Sequence, residues 1–167
     1  ANAEAMGIVI DDSEFDGFEN SGSISVEAKS VATINYSANA NDNFGIFIED
    51  SVVSSGITNS GDLTVSVEAN GYSYAQMGYV TGIKLNTLDI TAGGVENSGS
   101  INVSAKAEVS SYAANVDEIH GLLISDSNVV GNISNEGTIT ISAEVVSSGA
   151  SAKVDLDDVY GIAIEDN

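Results

Sequence analysis

One phrase recurs four times along this chain, as FENSGSIS, ITNSGDLT, VENSGSIN and ISNEGTIT, and it places Asn20, Asn59, Asn97 and Asn135 at spacings of 39, 38 and 38 residues. A second anchor, Gly followed by an aliphatic residue, falls at Gly7, Gly45, Gly82, Gly121 and Gly161, spaced 38, 37, 39 and 40. Two anchors with one period define a repeat of about 38 residues, and a repeat of that length is built from stacked copies of one supersecondary unit.

Inside each unit the pattern has the period of two that marks strands. Ile24, Val26 and Ala28, with Leu63, Val65 and Val67, Ile101, Val103 and Ala105, and Ile139, Ile141 and Ala143, point one way, and polar residues stand between them. The Gly anchor opens another strand, with Ile8 and Ile10, Ile46 and Ile48, Ile83 and Leu85, Leu122 and Ile124, and Ile162 and Ile164 facing inward. A short strand with one apolar face cannot bury that face alone; stacked units bury it through parallel ladders. The expected fold is all-β, a parallel β-solenoid of about four repeats in one domain over residues 1–167. Its units run approximately 7–44, 45–81, 82–120 and 121–160, with a partial fifth at 161–167. Three strands per coil are expected, followed by an Ala-, Ser- and Tyr-rich excursion; one coil of 38 residues is preferred to two of about 19.

Roles at the corner follow from this stacking. Asn20, Asn59, Asn97 and Asn135 form a structural ladder of side-chain amides, and Gly22, Gly61, Gly99 and Gly137, two positions on, allow a positive φ at the turn. Nine residues after each Asn stand Lys29, Glu68, Lys106 and Glu144, an alternation of charge that neighbouring coils favour.

Charge narrows the partners. Against 25 Asp and Glu the chain sets four Lys and one His, a net charge of −21, which repels nucleic acid and anionic lipid and attracts cations. With 43% hydrophobic residues the chain is expected to fold rather than remain disordered. No apolar run reaches the length of a bilayer span, so membrane insertion is not expected. Cysteine is absent, which removes disulfides, thiolate metal sites and Cys nucleophiles.

The pattern GI-x-I … I-x-NSG-x-I-x-V-x-A … GI resembles the repeats of bacterial autotransporter passengers and related large surface β-helix adhesins. That resemblance implies a right-handed parallel β-helix, exported through the outer membrane and displayed at the bacterial cell surface as stalk or adhesin. The implied partners are adjacent repeats of a larger protein, or host and matrix glycans and proteins. An alternative is a filament subunit that stacks end to end on itself, with Ca²⁺ as a candidate stabiliser; a lesser one is a β-helix enzyme degrading polysaccharides.

Acidic residues recur on either side of the Gly anchor. Three before it stand Glu4, Asp42, Tyr79, Glu118 and Asp158, and five after it Asp12, Asp50, Thr87, Asp126 and Asp166. Stacked carboxylates repel, and Ca²⁺, which takes oxygen ligands, would relieve them. Asp11, Asp12, Asp16, Asp50, Asp126, Asp155, Asp157 and Asp158 are therefore the metal candidates, against the alternative of a solvated acidic face. No catalytic residue is assigned. His120 precedes Gly121, where other units carry Met6, Phe44, Thr81 and Tyr160, company that indicates packing. Tyr36, Tyr72, Tyr74, Tyr79, Tyr112 and Tyr160 cluster in or near the excursion, as a contact surface or as a cover for the core.

Overall fold

A computed structural model describes residues 1–33, 36–149 and 153–166. Every strand pairing in it is parallel, and the register joins each residue to one about 38 positions away: Ile8 to Ile46, Ile46 to Ile83, Ile83 to Leu122 and Leu122 to Ile162. One repeat is therefore one coil of a β-solenoid.

Four sheets run the length of the stack. The Asn sheet holds Phe18–Asn20, Ile57–Asn59, Val95–Asn97 and Ile133–Asn135. The long sheet holds Ser23–Val31, Asp62–Gly71, Ser100–Val109 and Thr138–Ser147. A two-residue sheet, which the sequence reading lacked, holds Glu14–Phe15, Val52–Val53, Asp89–Ile90 and Asn128–Val129. The Gly-Ile sheet has five rows, including Met6–Asp11, Ser37–Glu49, Tyr74–Asn86, Ile119–Ser125 and Val159–Glu165.

The expected excursion is mostly strand. Ser37–Glu49 and Tyr74–Asn86 are 13 residues each, and they begin well before the Gly anchor. The sequence reading missed them because their inward residues, Ala38, Ala40 and Ala75, are small and weakly apolar, though all three are fully buried. They pack with Ala28, Ala69, Ala105 and Ala107 of the long sheet into one cluster. Small side chains suit a thin arm in which two sheets face each other. The wider part of the coil holds Ile46, Ile48, Leu63, Ile83, Leu85, Ile101, Leu122 and Ile124, all buried, each side chain contributing on the order of 2 kcal/mol. The inward columns of the long sheet lie where the alternation placed them, half-buried in the fourth row.

At the Gly column the Gly-Ile sheet lies against side chains of the long sheet, Leu63, Ile101 and Ile139. A Cβ on Gly45 would stand 2.6 Å from the Gly82 carbonyl oxygen and 2.6 Å from Leu63 Cδ1. Only hydrogen fits there, which is why the second anchor of the repeat is glycine.

Candidate functional site

At the Asn corner the amides bond in one direction along the stack. Asn20 Nδ2 donates to Asn59 Oδ1 at 2.7 Å, Asn59 to Asn97 at 2.7 Å and Asn97 to Asn135 at 2.6 Å. The main chain bonds in the opposite direction, since Ser60 and Gly61 N–H both donate back to the Asn20 carbonyl, and Ser98 and Gly99 to that of Asn59. Asn59 and Asn97 are 1% exposed, so each bond is made where an unpaired amide would be costly.

The glycines of this corner need correction. Gly22, Gly61, Gly99 and Gly137 do not adopt positive φ. For Gly61, Gly99 and Gly137 the requirement is close approach: a Cβ on Gly61 would collide with the Gly22 carbonyl oxygen, one on Gly99 with that of Gly61 and one on Gly137 with that of Gly99, whereas a Cβ on Gly22 would meet nothing.

Positive φ occurs instead in the two acidic columns. Asp42, Tyr79, Glu118 and Asp158 have φ between 49° and 56°, and Asp12, Asp50, Thr87, Asp126 and Asp166 between 46° and 53°. Asp is among the few non-glycine residues that enter this region readily, because its short polar side chain bonds locally. The recurrence of Asp thus has a backbone cause independent of any cation. A Ser follows Asp12, Asp50 and Asp126, making a second, polar column: Ser51 Oγ accepts from Ser13 N–H at 3.1 Å and donates to the Glu49 carbonyl at 2.6 Å, and Ser127 Oγ accepts from Leu88 N–H at 3.0 Å. The DS dipeptide at the repeat spacing is the signal that could have revealed it.

The metal candidates do not converge. Asp11, Asp12, Asp16, Asp50, Asp126, Asp155, Asp157 and Asp158 are all exposed, and among the described residues no three His, Asp or Glu side chains form a group that could hold a metal ion. Asp155 beside Asp157 raises the carboxyl pKa of Asp157, the sign of repulsion between neighbouring acids.

On the outer side of the Gly-Ile sheet lies a seam. Phe44, Thr81 and His120 pair across rows two to four and are 2%, 0% and 2% exposed, yet Phe44 stands apart from the core cluster. Lys84 Nζ sits 4.5 Å from the Tyr79 ring centroid, 5.1 Å from that of Phe44 and 5.6 Å from that of Phe47, a cation held over three rings. His120 stacks on Tyr160 with centroids 5.7 Å apart. Among the described residues neither His120 nitrogen meets a partner at full hydrogen-bond geometry, although the Glu118 main chain favours its protonated form, and the Thr81 hydroxyl has none. Burial lowers the His120 pKa, opposed by Glu165 and Asp158, while desolvation raises that of Glu118. His120 is thus packed, buried and stacked against Tyr160.

No protein family, curated protein or solved structure matches this chain. At the tip of the arm, where the long sheet turns back, a groove of about 460 Å³ is lined by Val31, Ala32, Asn70, Gly71, Tyr72 and Glu108, among others. Tyr36 and Tyr112 project beside this turn at 67% and 70% exposure, and Tyr72 at 39%. Tyr74, by contrast, is half-buried on its strand, and Tyr79 and Tyr160 belong to the seam. The six tyrosines thus divide into tip, strand and seam.

Proposed function

We propose that this chain is a structural and adhesive segment of an extracellular bacterial β-solenoid protein, without catalysis. The observation that carries the reading is a division within each coil: four ladders and a buried amide column make the interior uniform, while tyrosines vary and project at the arm tip. Uniform ladders resist bending and extend by simple addition of coils. Exposed tyrosines supply flat apolar faces with a polar edge, suited to sugars or to protein partners. The strong negative charge turns anionic partners away, so neutral or cationic glycans and proteins of the host or matrix are the partners it suits.

Two measurements test the proposal. Inserting a second copy of residues 45–81 should give a soluble protein longer by about 4.8 Å in X-ray scattering, one strand spacing; loss of cooperative unfolding would count against an extensible stalk. A Tyr36→Ser, Tyr72→Ser, Tyr112→Ser variant should lose retention on glycan and matrix-protein arrays, and equal retention would remove the adhesive half. Release of sugar from polysaccharide by the unaltered chain would favour the enzyme alternative instead.

A further inference from the structure

The groove at the arm tip has a cause in chain length. Between Gly71 and Tyr74 the second row turns with two residues, Tyr72 and Ser73, whereas the third row uses three, Ser110 to Tyr112, between Val109 and Ala113. Five residues, 32–36, join the corresponding strands of the row before. The shortest connection thus lies between longer ones, and Gly71 permits it, since a Cβ there would collide with the Tyr74 carbonyl oxygen. The result is a notch one row wide, of about 460 Å³, within the range of small-ligand sites.

Its lining is short of donors. Glu108 pairs in the ladder with Asn70 and presents an exposed carboxylate. Lys106 stands 3.8 Å from that carboxylate, beyond hydrogen-bond length, and equally far from Glu144. Asn70 Nδ2 is committed to Glu68 Oε1 at 2.6 Å, and Asn70 Oδ1, itself buried, meets no donor among the described residues. Tyr72, 39% exposed, adds a flat apolar face. A ligand that suits these groups brings N–H or O–H donors, a positive charge and a C–H face.

A basic peptide brings the first two, but peptides gain most by joining a free strand edge, and Asp62–Gly71 and Ser100–Val109 beneath the groove are paired on both sides. A sugar acid is repelled by the net charge of −21. An amino sugar combines all three features in one ring. We propose that the groove over Tyr72 and Glu108 is a binding subsite for an amino sugar bearing a free ammonium group, its face on the Tyr72 ring and its ammonium on the Glu108 carboxylate. This rests on the adhesive reading above and narrows it to one ligand class at one place. An ammonium donates three hydrogen bonds and a carboxylate only accepts, so the pair is matched in kind as well as in charge.

Titration calorimetry of the full chain with short glucosamine oligomers, compared with the same oligomers fully N-acetylated, tests this. The free-amine form should bind at least about tenfold tighter at low salt, and the difference should shrink as salt rises. Because a chain this acidic attracts any polycation, two variants of equal charge separate the groove from the general field. Glu108→Gln should abolish the preference, and Glu96→Gln, exposed on the Asn sheet, should keep it. Tyr72→Ser should weaken the binding of both oligomers. Absence of binding, equal binding of the two forms, an equal loss in Glu108→Gln and Glu96→Gln, or no loss in Tyr72→Ser would overturn the proposal. So would a lysine oligomer that binds as tightly with the same dependence on Glu108 and Tyr72, which would make the occupant a basic peptide. Adhesion is judged separately on the arrays, where retention of other ligands through the tip tyrosines would survive each of these results.

Discussion

The Asn corner and the outer seam bury polar side chains to the same degree and treat them in opposite ways. Asn59 and Asn97 are 1% exposed and bonded to their own kind above and below. Thr81 and His120 are 0% and 2% exposed, pair with each other in the ladder, and among the described residues have no partner at full hydrogen-bond geometry for Oγ1, Nδ1 or Nε2. Repetition is the difference. A column of identical amides offers a donor and an acceptor at every step, whereas the seam reads Met6, Phe44, Thr81, His120 and Tyr160, whose neighbours are bulky or apolar. A buried side-chain column satisfies itself where the sequence repeats it; elsewhere, as at Ser127 against the Leu88 N–H, the main chain must supply the partner.

The comparison breaks most severely at the corner glycines. Gly99→Ala places a Cβ against the Gly61 carbonyl, main chain that cannot move without opening the ladder, and the expected cost is about 3 kcal/mol or more, read as failure to fold or a collapse of the urea midpoint. Asn59→Leu should cost about 2 kcal/mol by urea unfolding, because it strands Asn20 Nδ2 and Asn97 Oδ1 away from water. An unchanged midpoint would mean that the amide column is ornament rather than support.

The seam should respond in the other direction. His120→Phe keeps a ring against Tyr160 and removes two nitrogens that lack a full hydrogen bond, so it should stabilise by about 1 kcal/mol. Its pH signature follows from linkage. The folded His120 pKa lies below its ordinary value, so the unfolded chain takes up the proton first, and stability is lost as pH falls below about 6.5. The wild-type loss between pH 8 and pH 5 should exceed that of His120→Phe; parallel curves would show that the ring titrates freely. The smallest effect belongs to the backbone of the acidic columns. Thr87 is a β-branched residue at φ 53°, and Thr87→Asn should stabilise by roughly 0.5 kcal/mol in thermal unfolding, since Asn accepts that region more readily.

Much of this was legible in the repeat. The period marked a stack of like units, with one coil per unit preferred and the strand register deciding it, the alternation of Leu63, Val65 and Val67 marked an inward column, and the Asn phrase marked a ladder, because each is a regularity that the repeat displays. The arm strands escaped because Ala38, Ala40 and Ala75 carry little hydrophobic signal. The acids misled, since Asp50 and Asp126 recur for a torsion angle as readily as for a cation. Sequence alone does not separate the tip tyrosines from Tyr79 and Tyr160, which lie elsewhere in space, because only the fold of each coil places them apart.

By itself the sequence determined the stack: its period, its inward columns, the residues of its amide ladder and the alternation of Lys29, Glu68, Lys106 and Glu144. Those features are local patterns multiplied by repetition. Tertiary structure alone decided why glycine stands at Gly45 and Gly99, which polar residues of the seam go unpaired, and how the tyrosines divide between tip and seam. These are contacts between coils and between facing sheets, set by distances across the stack that no order of residues along one strand contains.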